Sequence, residues 1–252
     1  MVDYPILVFF ATLIILWLAC RTGLHLSARL DEDDHLDLGV ILTAALTLLG
    51  LIVGFTFSMA VTRYDQRKNL EAEEANAIGT EMARVGLLPA PEAGEVRDLL
   101  RRYLSERMAF YATRDRHELQ QIKATTARTQ ADLWSAVQTY ATGQPSVLTA
   151  LVVSGMNDIL NSQGFIQAAF WNRIPGAAWV LMAVIAICCN ALLGFTARHR
   201  EEKAKRFTIL PLIVATAFFL IADIDSPRGG VVRIHPENLE DVCRSWQCPG
   251  QD

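Results

Sequence analysis

Small and hydroxyl-bearing residues recur at helical spacing in the second uncharged stretch of the chain. They are Thr43, Thr47, Gly50, Gly54 and Ser58. Since three or four residues separate neighbours in this set, its members are expected to share one helix face, with Leu51 and Phe55 on the adjoining strip. Hydroxyl groups beside apolar rings are suited to lining a narrow path for a partly hydrated ion. The same pattern also fits helix packing, because the G-x-x-x-G pair of Gly50 and Gly54 lets two helices approach closely. The residues alone leave both interpretations open.

No combination of residues is typical of a catalytic or metal site. His117 and Glu118 begin like a zinc-protease helix, but Gln121 occupies the position that requires a second histidine. Gly229 and Gly230 are not followed by the Lys-Ser/Thr pair of a phosphate-binding loop. We therefore predict that the chain is not an enzyme, with no catalytic residue, no metal ligand and no cofactor.

Two groups of acidic residues carry structural interpretations. Glu71, Glu73 and Glu74 are expected on a charged, solvent-exposed helix face, the alternative being salt bridges between subunits. Asp223 and Asp225 follow the last uncharged stretch. There, a turn fixed by Pro227 is favoured over a bound cation, because one short acidic pair is not a calcium loop.

Five cysteines give no disulfide framework. Cys20, Cys188 and Cys189 lie in uncharged stretches, where they are expected to be small buried hydrophobic residues. Cys243 and Cys248 lie in the C-terminal tail. They would pair if the tail faced an oxidising compartment, and this alternative stays open.

Four uncharged stretches define the architecture that must position these residues. They cover residues 4–20, 38–60, 174–197 and 207–222 of the 252-residue chain. A helix needs roughly 17–25 apolar residues to cross a bilayer, so we predict an all-α polytopic membrane protein with four transmembrane helices. The predicted organisation is a transmembrane hairpin (1–62), a helical extramembrane insert (63–175), a second hairpin (176–226) and a C-terminal tail (227–252). The net charge of −4 argues against nucleic-acid binding.

The insert is expected to consist of four helices. Apolar periodicity places them at 63–88, 92–119, 125–140 and 145–171, and the first continues directly from the second transmembrane helix. Pro89, Pro91, Gly143 and Pro145 are the predicted breaks.

Three segments resemble known membrane proteins. Gly54-Phe55, followed after six residues by Thr62-Arg63-Tyr64 and then by Asn69-Leu70, resembles the second-span signature of the bestrophins. Runs 73–80 and 223–230 resemble more closely the prokaryotic bestrophin-like domain family. That second resemblance covers nearly the whole chain.

Bestrophins are pentameric ion channels, mostly anion-selective, whose second span lines an apolar neck. The resemblance implies neck positions at Phe55, Leu51 and Thr47. Thr47 departs from the apolar pattern, which would make its end of the neck wetter, and Tyr64-Asp65 replaces a pair of tryptophans. The acidic calcium site of bestrophins is not carried over to Asp223 and Asp225.

The resulting hypothesis is a homo-oligomeric, anion-conducting channel in the cell membrane. Thr47, Leu51, Phe55 and Ser58 would line the pore, with chloride as a candidate ion, and Arg63 at the mouth would raise the local anion concentration. The alternative is a non-conducting interaction or sensory protein whose insert docks a partner. The short basic segment 198–206 slightly favours an extracytoplasmic insert. The resemblance implies cytoplasmic termini and insert, and we follow it.

Overall fold

The computed structural model describes residues 4–26, 34–196 and 208–248, which are almost entirely helical. Eight helices follow one another: α1 (Pro5–Leu26), α2 (Asp34–Val85), α3 (Ala90–Ala112), α4 (Arg116–Gly143), α5 (Val147–Trp171), α6 (Gly176–Phe195), α7 (Ile209–Asp225) and α8 (Glu237–Ser245). The prediction of an all-helical chain is confirmed. The basic segment 198–206 lies outside the described residues.

Within the described residues, three stretches are long and apolar enough to cross a membrane. They are Pro5–Leu26, Leu38–Val85 and Val147–Phe195, the last of which contains both α5 and α6. Helix α7 has 17 residues, at the lower end of the length that spans a hydrocarbon core. The fourth transmembrane helix, predicted at 207–222, is not among these three stretches and stays a prediction.

Helix α2 continues past the second uncharged stretch without a break, as predicted, and ends at Val85. Pro89 caps the start of α3, so the prolines fall where the break was expected. The single helix predicted over 92–119 is wrong, because the chain leaves the helix at Thr113 and α4 begins at Arg116. The Asp115 carboxylate accepts a hydrogen bond from the backbone N–H of His117 (2.9 Å) and thereby starts the new helix.

The described chain divides into two compact units. One contains Met1–Tyr64 and Arg173–Arg233, and the other contains Asp65–Asn172 and Ile234–Asp252. In the first unit, α1 packs against α6 and α7. Its apolar core comprises Leu16, Leu49, Ala60, Ile174, Met182, Ala186, Cys189, Val214, Phe218 and Ile221.

The closest helix crossing of the first unit lies between α1 and α6. A Cβ at Gly23 would overlap the Ala191 carbonyl, and a Cβ at Gly194 would overlap the Cys20 carbonyl. Glycine is therefore required at both positions for the two backbones to touch. Cys20 and Cys189 are buried as predicted, whereas Cys188 is exposed on the outward side of α6, so its predicted burial is wrong.

In the second unit, α3 packs against α4 and α8, and α4 packs against α5. The tail thus contains a helix, α8, that was not predicted from the sequence. Glu71 of α2 caps this helix. Its carboxylate accepts hydrogen bonds from the Leu239 backbone N–H (3.1 Å) and the Asn238 side-chain amide (2.6 Å).

Candidate functional site

One side of the first part of α2 is open to the surroundings in the single chain. Phe55 is 66% exposed and Leu51 is 55% exposed, while Leu49 and Ala60 on the other side of the helix are buried in the core. Thr47 and Ser58 are also exposed. The four residues predicted to line a path therefore lie on one continuous, uncovered strip, which we call the open face of α2 and define as Thr47, Gly50, Leu51, Gly54, Phe55 and Ser58.

Gly50 and Gly54 face open space among the described residues. A Cβ built on either residue would meet no atom of the described chain within 4 Å outside the local helix. The close contact between helices in this unit is made instead by Gly23 and Gly194. The packing role predicted for Gly50 and Gly54 therefore stays a prediction, and it would have to be fulfilled by another polypeptide.

The hydroxyl groups of the open face differ in their hydrogen bonding. Thr47 donates to the Thr43 carbonyl at 2.9 Å, and Thr43 donates to the Gly39 carbonyl at 2.9 Å. These hydroxyls consequently present lone pairs outward rather than protons. The Ser58 hydroxyl makes no hydrogen bond within the described part of the chain. Its proton is free to point at an anion.

Arg63 lies about two turns beyond Phe55 on α2. Its side chain is half-buried, and one terminal guanidinium nitrogen, Nη1, is buried without a hydrogen-bond partner among the described residues. A buried donor without a partner costs about 1–3 kcal/mol, so such a nitrogen favours an incoming acceptor. Arg63 therefore places a positive charge beyond the C-terminal end of the open face.

Hydrogen bonds hold the chain that follows α7 in the first unit, one of them to the end of this α2 segment. The Tyr64 hydroxyl donates to the Arg233 carbonyl at 3.5 Å. The Asp223 carboxylate accepts hydrogen bonds from the Val231 and Val232 backbone N–H groups at 2.7 and 2.8 Å. Gly230 lies directly against Asp223, where a Cβ would collide with its carbonyl.

The second acidic residue is engaged in the same way. Asp225 accepts a hydrogen bond from the Ile174 backbone N–H at 3.1 Å, and the Ser226 hydroxyl accepts one from the Gly229 backbone N–H at 3.1 Å. The predicted turn after α7 is present, and backbone amides donate to both carboxylates.

The second part of α2 carries buried charges that the sequence reasoning missed. Glu71 and Glu74 are buried, whereas Glu73 is exposed, so the prediction of a solvent-exposed acidic face is wrong for two of the three. Glu74 accepts hydrogen bonds from Arg107 Nε at 2.6 Å and Nη2 at 3.3 Å. The Tyr103 and Tyr111 hydroxyls add bonds at 3.4 and 3.3 Å.

Burial and the charges of this cluster shift the pKa values of its arginine and its two tyrosines. Burial lowers the pKa of Arg107, but Glu74, Tyr103 and Tyr111 together hold that pKa above its ordinary value. Burial, and then the negative charge of Glu74, raise the pKa values of Tyr103 and Tyr111. Both phenols therefore stay protonated as donors. Arg107 lies among the apolar residues on one face of α3. Its position there was the sequence feature that indicated a buried carboxylate nearby.

Glu81 is the third buried carboxylate of α2. It is fully buried, and neither of its oxygens has a hydrogen-bond partner within the described residues. Arg84 Nη1 lies 3.8 Å away, and the Gly155 backbone lies so close that a Cβ there would collide with the carboxylate. Burial raises the pKa of Glu81 to about 7; Arg84 lowers it, and Asp158 raises it further.

Comparisons with known sequences and solved structures identify proteins that are similar to this chain. A comparison with curated protein sequences finds no match. Among solved structures, a bacterial bestrophin homologue from Klebsiella pneumoniae, phased with zinc, superposes with a TM-score of 0.63 at 14% identity, covering 96% of this chain and 95% of that one. A tryptophan-to-alanine mutant of the Klebsiella homologue gives a TM-score of 0.67 at 14% identity, covering 95% of this chain and 94% of that chain.

A tyrosine-to-alanine mutant gives 0.65 at 13% identity, with coverage of 95% and 96%. Identities this low establish a shared fold. A family model described as the bestrophin-like domain matches residues 6–239, a span that includes the open face, the buried carboxylates of α2 and the turn after α7. The chain belongs to the bestrophin-like domain family.

Proposed function

We propose that this protein is a homo-oligomeric ion channel in which the open face of α2 from each copy lines the conduction path. The observation that carries the proposal is the exposure of Leu51 and Phe55 on the side of α2 that its own chain leaves uncovered. In a bilayer, this apolar face would be covered either by lipid or by other copies of the chain. The small residues and hydroxyl groups on the same strip favour other copies around a narrow axis over lipid.

The membrane topology we propose uses four spans: α1, the first part of α2, α6 and α7. The 17 residues of α7 reach about 26 Å, which approaches the hydrocarbon thickness once flanking residues are included. We place both termini and the insert on the cytoplasmic side of the cell membrane, and we take the assembly to be a pentamer, as the resemblance to bestrophins implies.

Conduction through this path would be controlled at the apolar rings. Rings of Leu51 and Phe55 side chains would form a constriction that excludes water when narrow and conducts when it widens. Ser58 offers a free hydroxyl proton to an anion that leaves the constriction. Arg63, beyond it, would raise the local concentration of anions such as chloride. These two groups are the reason for proposing anion selectivity.

The test is chloride efflux from liposomes that contain the purified full-length protein. Phe55→Ala removes the largest side chain of the constriction, so efflux should rise relative to the unmodified protein. Phe57→Ala is the matched control, because Phe57 is also exposed and lies two residues from Phe55, so the two side chains point to opposite sides of the helix. Its efflux should stay close to that of the unmodified protein.

An equal rise in both variants would contradict the placement of Phe55 at a constriction. No efflux from any of the three proteins, each monodisperse and helical by circular dichroism, would contradict conduction itself. That second result would favour the non-conducting interaction protein, and the partner of the insert would then be the object to identify.

A further inference from the structure

The C-terminal end of α8 forms a tight turn that brings two cysteines together. The Cys248 backbone N–H donates to the Cys243 carbonyl at 3.1 Å, and the Gln247 N–H donates to the Arg244 carbonyl at 3.4 Å. Gln247 has a positive φ of 51°. This pair of bonds around a left-handed residue is the Schellman motif, in which the side chain after the left-handed residue packs against the side chain five positions earlier.

In this chain the two residues that the motif packs together are both cysteines. The turn therefore places the Cys248 side chain against the Cys243 side chain, and both are free thiols. Cys243 is buried, while Cys248 is partly accessible. Burial raises the pKa of Cys248 to about 12; Cys243 acts in the same direction, and Arg101 opposes both.

The helix that carries the pair is held firmly in its unit. Glu71 binds the N-terminal end of α8 through Leu239 and Asn238. Leu239 and Cys243 are both buried, and α8 packs against α3. The fold therefore fixes the position of the Cys243 thiol, and the turn returns Cys248 to it. This raises the effective concentration of one thiol at the other.

We propose that Cys243 and Cys248 form a reversible intramolecular disulfide by exchange with a low-molecular-weight disulfide such as oxidised glutathione. The Cys248 thiolate, the more accessible of the two, would attack one glutathione sulfur, break its S–S bond and release one glutathione thiolate. The Cys243 thiolate would then attack the mixed disulfide at Cys248 Sγ and release the second. The two cysteines are oxidised, glutathione disulfide is reduced to two thiols, and the two cysteine protons end on those thiols.

The sequence provides a direct readout of this bond. Trypsin cleaves after Arg244, so peptides 234–244 and 245–252 separate unless a disulfide joins their cysteines. The full-length protein in detergent is equilibrated with mixtures of oxidised and reduced glutathione at about pH 8.5, where thiolates are more abundant. It is then quenched with acid, digested without reduction and analysed by mass spectrometry. The joined peptide should increase with the oxidised fraction and disappear in dithiothreitol.

Two comparisons decide the proposal. The ratio of joined to separate peptides should be at least about tenfold higher in native protein than in urea-denatured protein, because the fold holds the thiols together. Equal ratios, or a native protein that stops at a glutathione adduct on Cys248, would overturn it. In Cys243→Ser only the adduct should form.

A matched pair of variants tests the role of the turn. Gln247→Gly keeps the left-handed conformation available, so pairing should be retained, whereas the β-branched Gln247→Val disfavours that conformation and should lower the joined fraction about tenfold. Equal pairing in both variants would refute the assignment of the thiol arrangement to the Schellman turn.

Discussion

The first part of α2, which carries the open face, and the second part, which carries three buried carboxylates, differ in how their own chain covers them. In the first part, Leu51 and Phe55 are apolar and exposed. In the second part, Glu71, Glu74 and Glu81 are charged and buried. Apolar side chains on the surface of a membrane-length helix contact lipid or another helix, whereas buried carboxylates need polar partners. One helix therefore combines a segment whose apolar surface its own chain leaves uncovered with a segment whose charges its own chain encloses.

The difference separates what assembly must provide from what folding provides. Glu74 is satisfied by four hydrogen bonds from α3, so the second part is completed within its own chain. The open face has no such partner among the described residues, and we propose that other copies cover it. Substitutions in the second part should therefore change stability, and substitutions on the open face should change assembly or conduction.

The largest loss of stability is expected from Arg107→Leu, a substitution on α3 that removes the partner of Glu74 in the second part of α2. The variant leaves the Glu74 carboxylate buried without its cation, which costs about 3–5 kcal/mol of unfolding free energy. The midpoint of thermal unfolding of the full-length protein, followed by circular dichroism, should fall by about 10 °C. Arg101→Leu is the control, because Arg101 pairs with the exposed Asp98 and should cost about 0–1 kcal/mol.

A Glu74→Leu/Arg107→Leu double variant sharpens this prediction. It removes both charges, so it should be less destabilised than the sum of the two single variants by a coupling of up to about 3 kcal/mol. Additive losses would show that the two side chains do not interact as the 2.6 Å contact indicates.

The second prediction concerns pH and Glu81, whose pKa is raised to about 7 in the folded protein. A carboxyl whose pKa is higher in the folded than in the unfolded state costs nothing below the unfolded pKa of about 4.5 and destabilises increasingly as pH rises toward 7. Glu81→Gln should therefore stabilise the protein by about 2–3 kcal/mol at about pH 8 and by almost nothing at about pH 4.5.

The groups facing Glu81 are Arg84, which is partly buried, and Asp158, which is exposed. Thermal unfolding of the unmodified protein and Glu81→Gln across this pH range gives the measurement, with Glu73→Gln on the exposed side of α2 as the matched control. A stability difference that does not grow with pH would contradict a buried Glu81 carboxylate that lacks a hydrogen-bond partner among the described residues.

Glycine substitutions compare the two kinds of helix surface directly. Gly194→Ala places a methyl group into the Cys20 carbonyl, so we expect a loss of about 1–3 kcal/mol in unfolding free energy. Gly54→Ala meets open space in the single chain and should leave that free energy unchanged or raise it by up to about 1 kcal/mol.

Size-exclusion chromatography with light scattering adds a second readout for Gly54→Ala. A smaller oligomer in this variant would support packing between copies at Gly54, the role first considered for the G-x-x-x-G pair. An unchanged oligomer would show that Gly54 is not needed for packing between copies and only leaves a position without a side chain on the open face.

The sequence was sufficient where local pattern decides the structure. Lack of charge located the apolar helices, prolines marked the end of α2, and small-residue spacing identified the strip that α2 leaves uncovered. The pore-lining role of Thr47, Leu51, Phe55 and Ser58 stays a prediction, because it depends on a neighbouring copy.

The sequence was insufficient where the partner lies far along the chain. Glu71 is buried because its carboxylate binds the start of α8, whose Asn238 lies 167 residues later in the chain. Glu74 is buried because Arg107 of α3 binds its carboxylate. Periodicity shows that a residue faces a neighbour but does not say which. The break at Thr113 escaped detection because Asp115 alone marks the start of α4, with no proline or glycine beside it.

The smallest predicted effect tests whether the charge next to the open face favours anions. Arg63→Gln removes the positive charge, so the chloride-to-potassium permeability ratio, taken from reversal potentials in planar bilayers under a KCl gradient, should fall about threefold. This corresponds to roughly 0.6 kcal/mol, a magnitude typical of one partly screened charge. Arg63→Lys keeps the charge and should preserve the ratio, and the difference between the variants should shrink in high salt because of screening. A permeability ratio that is identical in both variants at low salt would remove Arg63 from the selectivity mechanism and leave the Ser58 hydroxyl as the remaining donor to an anion near the constriction.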